Sequence, residues 1–129
     1  MCYHVEIFNF IRENIMIRIG IIGCGYWGIN YVRVFSELPD VTVSRVCDTS
    51  DERLLKMHQK FPYVFPTKLM DELLADAEVD AVVVATEASS HYDITKACLL
   101  SNKHVLVEKP LTTTVKESEE LVELAKEKN

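Results

Sequence analysis

The stretch "IRIGIIGCGYWG", residues 17–28, decides the fold. Its first seven residues, "IRIGIIG", form a continuous apolar run, the pattern of a strand buried on both faces. The run leads into Gly23-Cys24-Gly25-Tyr26-Trp27-Gly28, which is G-x-G-x-x-G. Each glycine has a mechanical reason. Gly23 permits a tight turn, Gly25 lets a pyrophosphate approach the backbone, and Gly28 lets the next helix pack closely on the strand. The helix N-terminus offers N–H groups and a partial positive charge to phosphates. Tyr26 and Trp27 lie inside the motif and join the glycines as candidate cofactor contacts.

Beyond the motif, helix and strand patterns alternate. "YWGINYVRVFSEL" (26–38) has helical spacing, with Ile29, Val32 and Phe35 or Ser36 on one face, and Pro39-Asp40 ends it. "VTVSRVC" (41–47) alternates as a strand. "TSDERLLKMHQKF" (49–61) is a helix opened by a capping box, Thr49-x-x-Glu52, with Leu54, Leu55, Met57, His58 and Phe61 on one broad face. "YVF" (63–65) is a short strand, and "KLMDELLAD" (68–76) a short helix with Leu69, Leu73 and Leu74 inward. "VDAVVVAT" (79–86) is a buried strand, and "SHYDITKACLLSN" (90–102) a helix with Asn102 at a left-handed C-cap. "HVLVEK" (104–109) is the fifth strand. "TVKESEELVELAKEK" (114–128) opens with the capping box Thr114-x-x-Glu117 and presents Leu121, Val122 and Ala125 on one face. Strands joined by helical crossovers run parallel, and the crossovers are right-handed. The expected class is α/β: a doubly wound parallel sheet of Rossmann type, strand order 3-2-1-4-5.

Asp48 ends the second strand, twenty residues past Gly28, where a carboxylate accepts hydrogen bonds from an adenosine ribose. Its charge repels a 2′-phosphate, so NAD is expected ahead of NADP. Arg53, one turn into the next helix, works against that preference.

Composition bounds the partners. The 129 residues make one domain, 48% hydrophobic and 26% charged, which is ordinary for a soluble globular protein. A net charge of −6 without a Lys/Arg cluster argues against nucleic acid and against anionic membranes. No apolar run approaches a membrane span. The four cysteines, Cys2, Cys24, Cys47 and Cys98, form no C-x-x-C pair and no histidine stands at ligand spacing from them. No metal site is therefore expected; free thiols in a reducing cytoplasm are. Residues 1–15, "MCYHVEIFNFIRENI", follow neither helical nor strand periodicity and lack the basic start and cleavage site of a secretory signal. They are expected to be a loose or non-native extension, with Met16 the natural start and 16–129 the folded domain. Whether Met1 or Met16 begins the protein stays open.

"GCGYWG", the acid of "VCD", and "VVVATEASSHYDITKACLLSNKHVLVEKPLT" with its Glu108-Lys109-Pro110 triplet occur in an order that resembles the Gfo/Idh/MocA family of NAD(P)-dependent oxidoreductases. The resemblance runs from about Met16 to the last residue. The triplet at the end of the fifth strand is specific to that family; the glycine motif is not. Its members oxidise or reduce a carbinol carbon of a sugar, cyclitol or nucleotide sugar. The resemblance implies that Lys109 is catalytic, polarising or deprotonating the substrate hydroxyl beside the nicotinamide. It implies that Glu108 faces the nicotinamide ribose and that Pro110 fixes the turn. Thr86 and His91 match cofactor-contacting positions, and a structural role for His91 at its helix terminus stays open beside that. Two residues depart from the family pattern: Glu87 and Ile29 stand where proline is common. The resemblance further implies a sixth strand and a second domain carrying the substrate pocket, a further catalytic residue and a homo-oligomer interface. None of these is expected within 129 residues, so this chain alone is expected to be inactive. A stand-alone NAD-binding or sensing module acting through a partner chain, or a non-functional fragment, remains the alternative.

Overall fold

A computed structural model describes residues 15–128. Five parallel strands form one sheet in the order β3-β2-β1-β4-β5, as the alternating pattern predicts. The strands are β1 (Ile17–Ile22), β2 (Val41–Cys47), β3 (Phe65–Thr67), β4 (Ala81–Val84) and β5 (His104–Val107). The helices are α1 (Tyr26–Ser36), α2 (Asp51–Lys60), α3 (Met70–Ala75), α4 (His91–Leu100) and α5 (Val115–Lys128). A single 3-10 turn, Ala88–Ser90, precedes α4. The expectation for the first fifteen residues lies, apart from the exposed Ile15, outside the described residues.

The apolar strands are buried from both sides because two separate cores sandwich the sheet. Ile19, Ile21, Val43, Val46 and Val83 meet Val32 of α1 and Leu54 and Met57 of α2. Ile22, Val82 and Val84 meet Leu73 and Leu74 of α3 and Cys98 of α4 on the other face. Full burial of one such aliphatic side chain is worth about 1.5–3 kcal/mol. Within β1 and β4 the two sets alternate with period two, as pleating requires.

β2 departs from plain alternation. Ile19 pairs with Val43 but Gly20 pairs with Arg45, so Ser44 is an extra residue in the ladder. This bulge puts Val43 and Val46, three apart, on the same face. It also tucks the Ser44 hydroxyl into the interior without a hydrogen-bond partner among the described residues.

Several element limits correct the sequence reading. β3 is Phe65–Thr67 rather than 63–65, because only those residues align with Arg45–Cys47 of β2. α2 is capped by Ser50, whose hydroxyl accepts the Arg53 N–H at 3.3 Å, so the Thr49-x-x-Glu52 box does not form. On α2, Leu54, Met57 and Phe61 are buried while Leu55 and His58 are exposed. Leu69 is the exposed N-cap of α3, not an inward residue. On α5 only Leu121 is buried; Val122 and Ala125 are exposed, because α5 packs on α4 and not on the sheet.

The turn after α4 is set as its residues suggest. Asn102 is left-handed, φ 57°, and lets the Lys103 N–H return to the Cys98 carbonyl at 3.1 Å. Lys103 is then buried and its amine donates to the Asp76 and Val79 carbonyls, both at 2.7 Å.

Candidate functional site

Register brings the four loops of interest to one edge of the sheet. Ile22 lies beside Cys47 on one side and Val84 on the other, and Val84 lies beside Val107. The segments after these residues therefore leave the sheet together. Strands stand about 4.8 Å apart, so Gly23 and Glu108 start roughly 10 Å from one another. Order reverses between β1 and β4, the switch point at which open α/β sheets hold ligands. A cleft of about 600 Å³ opens there, lined by Gly23, Gly25, Asp48, Arg53, Thr86 and Ser90 among others.

The three glycines are required for different reasons. Gly23 has φ 100°, and a Cβ on it would lie 2.6 Å from the Ala85 carbonyl. A Cβ on Gly28 would lie 1.8 Å from the Gly23 oxygen, so α1 and the turn touch there. Gly25 has an ordinary φ of −75°, and a Cβ on it would meet nothing within 4 Å. That open space stands at the N-terminus of α1, where no side chain caps the helix and no acid occupies the first turn. A cradle of this kind fits a pyrophosphate. Tyr26 and Trp27 project from the first turn, 75% and 56% exposed, with their rings edge to face.

Asp48 is buried at the end of β2, and both its oxygens already accept backbone hydrogen bonds. Oδ2 takes the Cys24 N–H and Oδ1 the Ser50 N–H, each at 2.8 Å. The Arg53 guanidinium stands 3.6 Å from Oδ2. The carboxylate thus braces the glycine loop while lining the cleft. Arg53 and Lys68, which pairs with Asp51 at 3.0 Å, place two cations beside it. Burial, reinforced by the Asp48 charge, pushes the Cys24 thiol up to about 12. The cysteine between the glycines is a neutral packing group, not a nucleophile.

Across the cleft, the segment after β4 is tied to the segment after β5. His91 is 1% exposed. Its Nδ1 lies 2.6 Å from the Pro110 carbonyl oxygen and its Nε2 3.0 Å from the Thr86 carbonyl oxygen. Both ring nitrogens face backbone carbonyl oxygens. The Thr86 hydroxyl accepts from Ser90 Oγ at 2.8 Å. Glu87 lines the cleft and is exposed. Glu108 is half-buried; its Oε1 accepts the Tyr31 hydroxyl and its Oε2 the Lys109 N–H at 3.3 Å. The Lys109 side chain is exposed, and the Lys109–Pro110 peptide is cis.

Gly23, Gly25, Asp48 and Thr86 therefore line one cleft, while Glu108 and Lys109 leave the same sheet edge one strand further on. Tyr31, Ser90 and Lys68 are site neighbours that the sequence reading did not name. Tyr31 carries no local signal, since its partner is 77 positions away. Among the described residues, no group of three or more His, Cys, Asp or Glu could hold a metal ion. Nor is any described helix long and apolar enough to cross a membrane.

A family model described as "Oxidoreductase family, NAD-binding Rossmann fold" matches residues 17–129. Myo-inositol 2-dehydrogenase of Thermotoga maritima is 31% identical over 109 residues, covering 84% of this chain and 33% of that protein. GenD2 from gentamicin A biosynthesis, solved in complex with NAD, superposes with a TM-score of 0.86 at 29% identity, over 90% of this chain and 33% of that one. Biliverdin reductase of Synechocystis sp. PCC 6803, solved with biliverdin and NADP+, gives 0.83 at 32% identity, over 87% and 35%. The chain spans between a fifth and about a third of the length of the relatives it matches.

Proposed function

The chain belongs to the Gfo/Idh/MocA oxidoreductase family as its NAD-binding Rossmann domain, and from that premise we propose that it is the cofactor half of a sugar- or cyclitol-type dehydrogenase. The observation that carries this reading is the pairing of two features at one sheet edge. One is the phosphate cradle at Gly25; the other is the exposed Lys109 amine, which leaves β5 roughly two strand spacings from β1. Bound NAD(P) supplies a hydride acceptor. Gly25 and the first turn of α1 hold its pyrophosphate, and Asp48 accepts from the adenosine ribose while keeping the loop in shape. Thr86 and Ser90 border the path towards the nicotinamide, and Glu108 faces the second ribose. Lys109 would polarise the substrate hydroxyl or help remove its proton while hydride leaves the carbinol carbon for the bound NAD(P). In this reading NAD is preferred to NADP, residues 16–129 are the cofactor domain, and the working protein is a cytoplasmic homo-oligomer. Free buried thiols at Cys24, Cys47 and Cys98 support the cytoplasmic setting.

Calorimetric titration of the chain with NAD and NADP tests the binding half. Saturable binding of NAD, tighter than NADP, is expected; absence of saturable binding of either rejects the reading. With NAD and a panel of polyols, the 129-residue polypeptide by itself is expected to bind without turnover. In a chain fused to the substrate-binding part of a longer relative, Lys109→Ala should abolish turnover and leave NAD affinity intact. Near-normal turnover in that variant removes Lys109 from the mechanism.

A further inference from the structure

We infer that Tyr31 is a positioning residue for the Glu108–Lys109 pair, an inference that rests on the cofactor-site reading above. Tyr31 lies on α1, the helix whose N-terminus forms the phosphate cradle, and Glu108 lies just past the end of β5. The Tyr31 hydroxyl donates to Glu108 Oε1, while Oε2 accepts the N–H of Lys109 at 3.3 Å. One carboxylate is thereby held at both oxygens, by the cradle helix and by the backbone from which the lysine departs. Tyr31 stacks on Phe35, with centroids 5.9 Å apart and planes 16° from parallel, so the ring direction is fixed before the hydroxyl bonds. Partial burial, then the bond to Glu108 and its charge, push the phenol up to about 12. It therefore stays a donor throughout the neutral range.

The contact has a chemical consequence. A carboxylate at this sheet edge is an anion beside a site for a bisphosphate. Held by Tyr31, it is directed at the region of the second ribose; released, it is free to swing towards the phosphates or the Lys109 amine. Tyr31 therefore acts on the nicotinamide end of a dinucleotide and not on its adenosine end.

Tyr31→Phe removes the hydroxyl and keeps the stacked ring, so it tests this with little risk to the fold. Binding of NAD and of ADP, which lacks the second ribose and nicotinamide, is compared by calorimetry in the wild type and in the variant. NAD affinity is expected to fall roughly five- to tenfold while ADP affinity stays within about twofold. Adding Glu108→Ala to Tyr31→Phe should cause no further loss than Glu108→Ala alone. Equal loss for NAD and ADP, as from a structural defect, overturns the inference, and so does no loss for either. A wild-type chain that binds neither nucleotide overturns the cofactor reading and the inference with it. A second measurement does not use the nucleotide. In an ultraviolet titration, Tyr31 should ionise late in the wild type and earlier in Glu108→Ala, which keeps the burial but removes the acceptor and its charge. Identical tyrosine titration curves in the wild type and in Glu108→Ala show that the contact is absent.

Discussion

The imidazole Nδ1 of His91 lies 2.6 Å from the carbonyl oxygen of Pro110, and the same ring reaches the Thr86 carbonyl oxygen through Nε2 at 3.0 Å. One buried side chain thus fastens the loop after β4 to the turn that carries Lys109. His91→Leu keeps most of the volume and removes every donor, so the part-buried Thr86 and Pro110 carbonyls lose their contact with the ring. It should destabilise the chain by about 1–3 kcal/mol, read from the urea midpoint. A midpoint within error of the wild type would mean that the ring does not join the loops.

The glycines of the motif separate folding from binding. Gly28→Ala forces a Cβ to within 1.8 Å of the Gly23 oxygen, a contact that neither backbone can relieve. It should cost about 3 kcal/mol or more and lower the melting temperature sharply. Gly25→Ala meets nothing within 4 Å and keeps an ordinary φ, so stability should change by less than about 0.5 kcal/mol. Its methyl occupies the phosphate cradle, and NAD affinity should fall roughly tenfold or more. Unchanged NAD binding in Gly25→Ala would place the pyrophosphate elsewhere.

Cofactor preference depends on the acid–base pair at the end of β2. Asp48→Ala should weaken NAD roughly tenfold and NADP less, since loss of the carboxylate also removes repulsion from a 2′-phosphate. Arg53→Ala, which removes the guanidinium 3.6 Å from Asp48, should do the opposite and weaken NADP more than NAD. Equal losses for both cofactors in both variants, by calorimetry, would reject the ribose assignment. Asp48→Ala should also loosen the glycine loop, because the Cys24 and Ser50 N–H groups lose their acceptor.

Alkaline pH should destabilise the fold through its thiols. Burial raises Cys24 and Cys98 from 9.0 to about 12 and Cys47 to about 11. A raised folded-state pKa means that the unfolded chain loses protons first as pH rises. The stability linked to these thiols is therefore complete below pH 9.0 and declines up to about 11–12. Urea midpoints should hold steady below pH 9.0 and fall above it, and a Cys24→Ala, Cys98→Ala variant should show a shallower decline. A chromophoric thiol reagent should leave all three unmodified at neutral pH until denaturant is added.

β5 is an edge of the described sheet, and its Leu106 is 48% exposed because α4 covers only the face that Val105 and Val107 share. No proline or inward lysine interrupts Val105-Leu106-Val107, so unpaired backbone groups invite a second strand. The 129-residue chain should self-associate with rising concentration in sedimentation experiments, and Leu106→Lys should shift it towards monomer. Identical sedimentation of the two would exclude β5 as the contact.

What the sequence determined by itself is the fold and the positions of the candidate site residues at the strand ends. A both-sides-buried strand such as Ile17–Ile22 must be covered by helices on two faces, and connections of one helix each leave only a parallel sheet with right-handed crossovers. The glycine motif and the acid after β2 follow from spacing along one chain, because both stand at strand ends, while the role of the lysine after β5 is what the family resemblance implies. Local caps were legible where nothing distant competed: the Glu117 N–H does reach Thr114 Oγ1 at 3.2 Å. At α2 the same reasoning missed by one residue, because Asp48 draws in the Ser50 N–H and turns the chain so that Ser50 becomes the cap.

Tertiary structure alone decided the partners that close the site. The Ser44 bulge shifts β2 by one residue against β1, so facing cannot be counted from plain alternation. His91 acquires its role only when the loop after β4 and the turn after β5 lie side by side, which parallel register arranges. Tyr31 meets Glu108 across 77 positions because α1 packs on the sheet whose last strand ends at Val107. Spacing along a chain fixes which residues share an element. Hydrogen bonds between elements depend on packing distances, which no local pattern encodes.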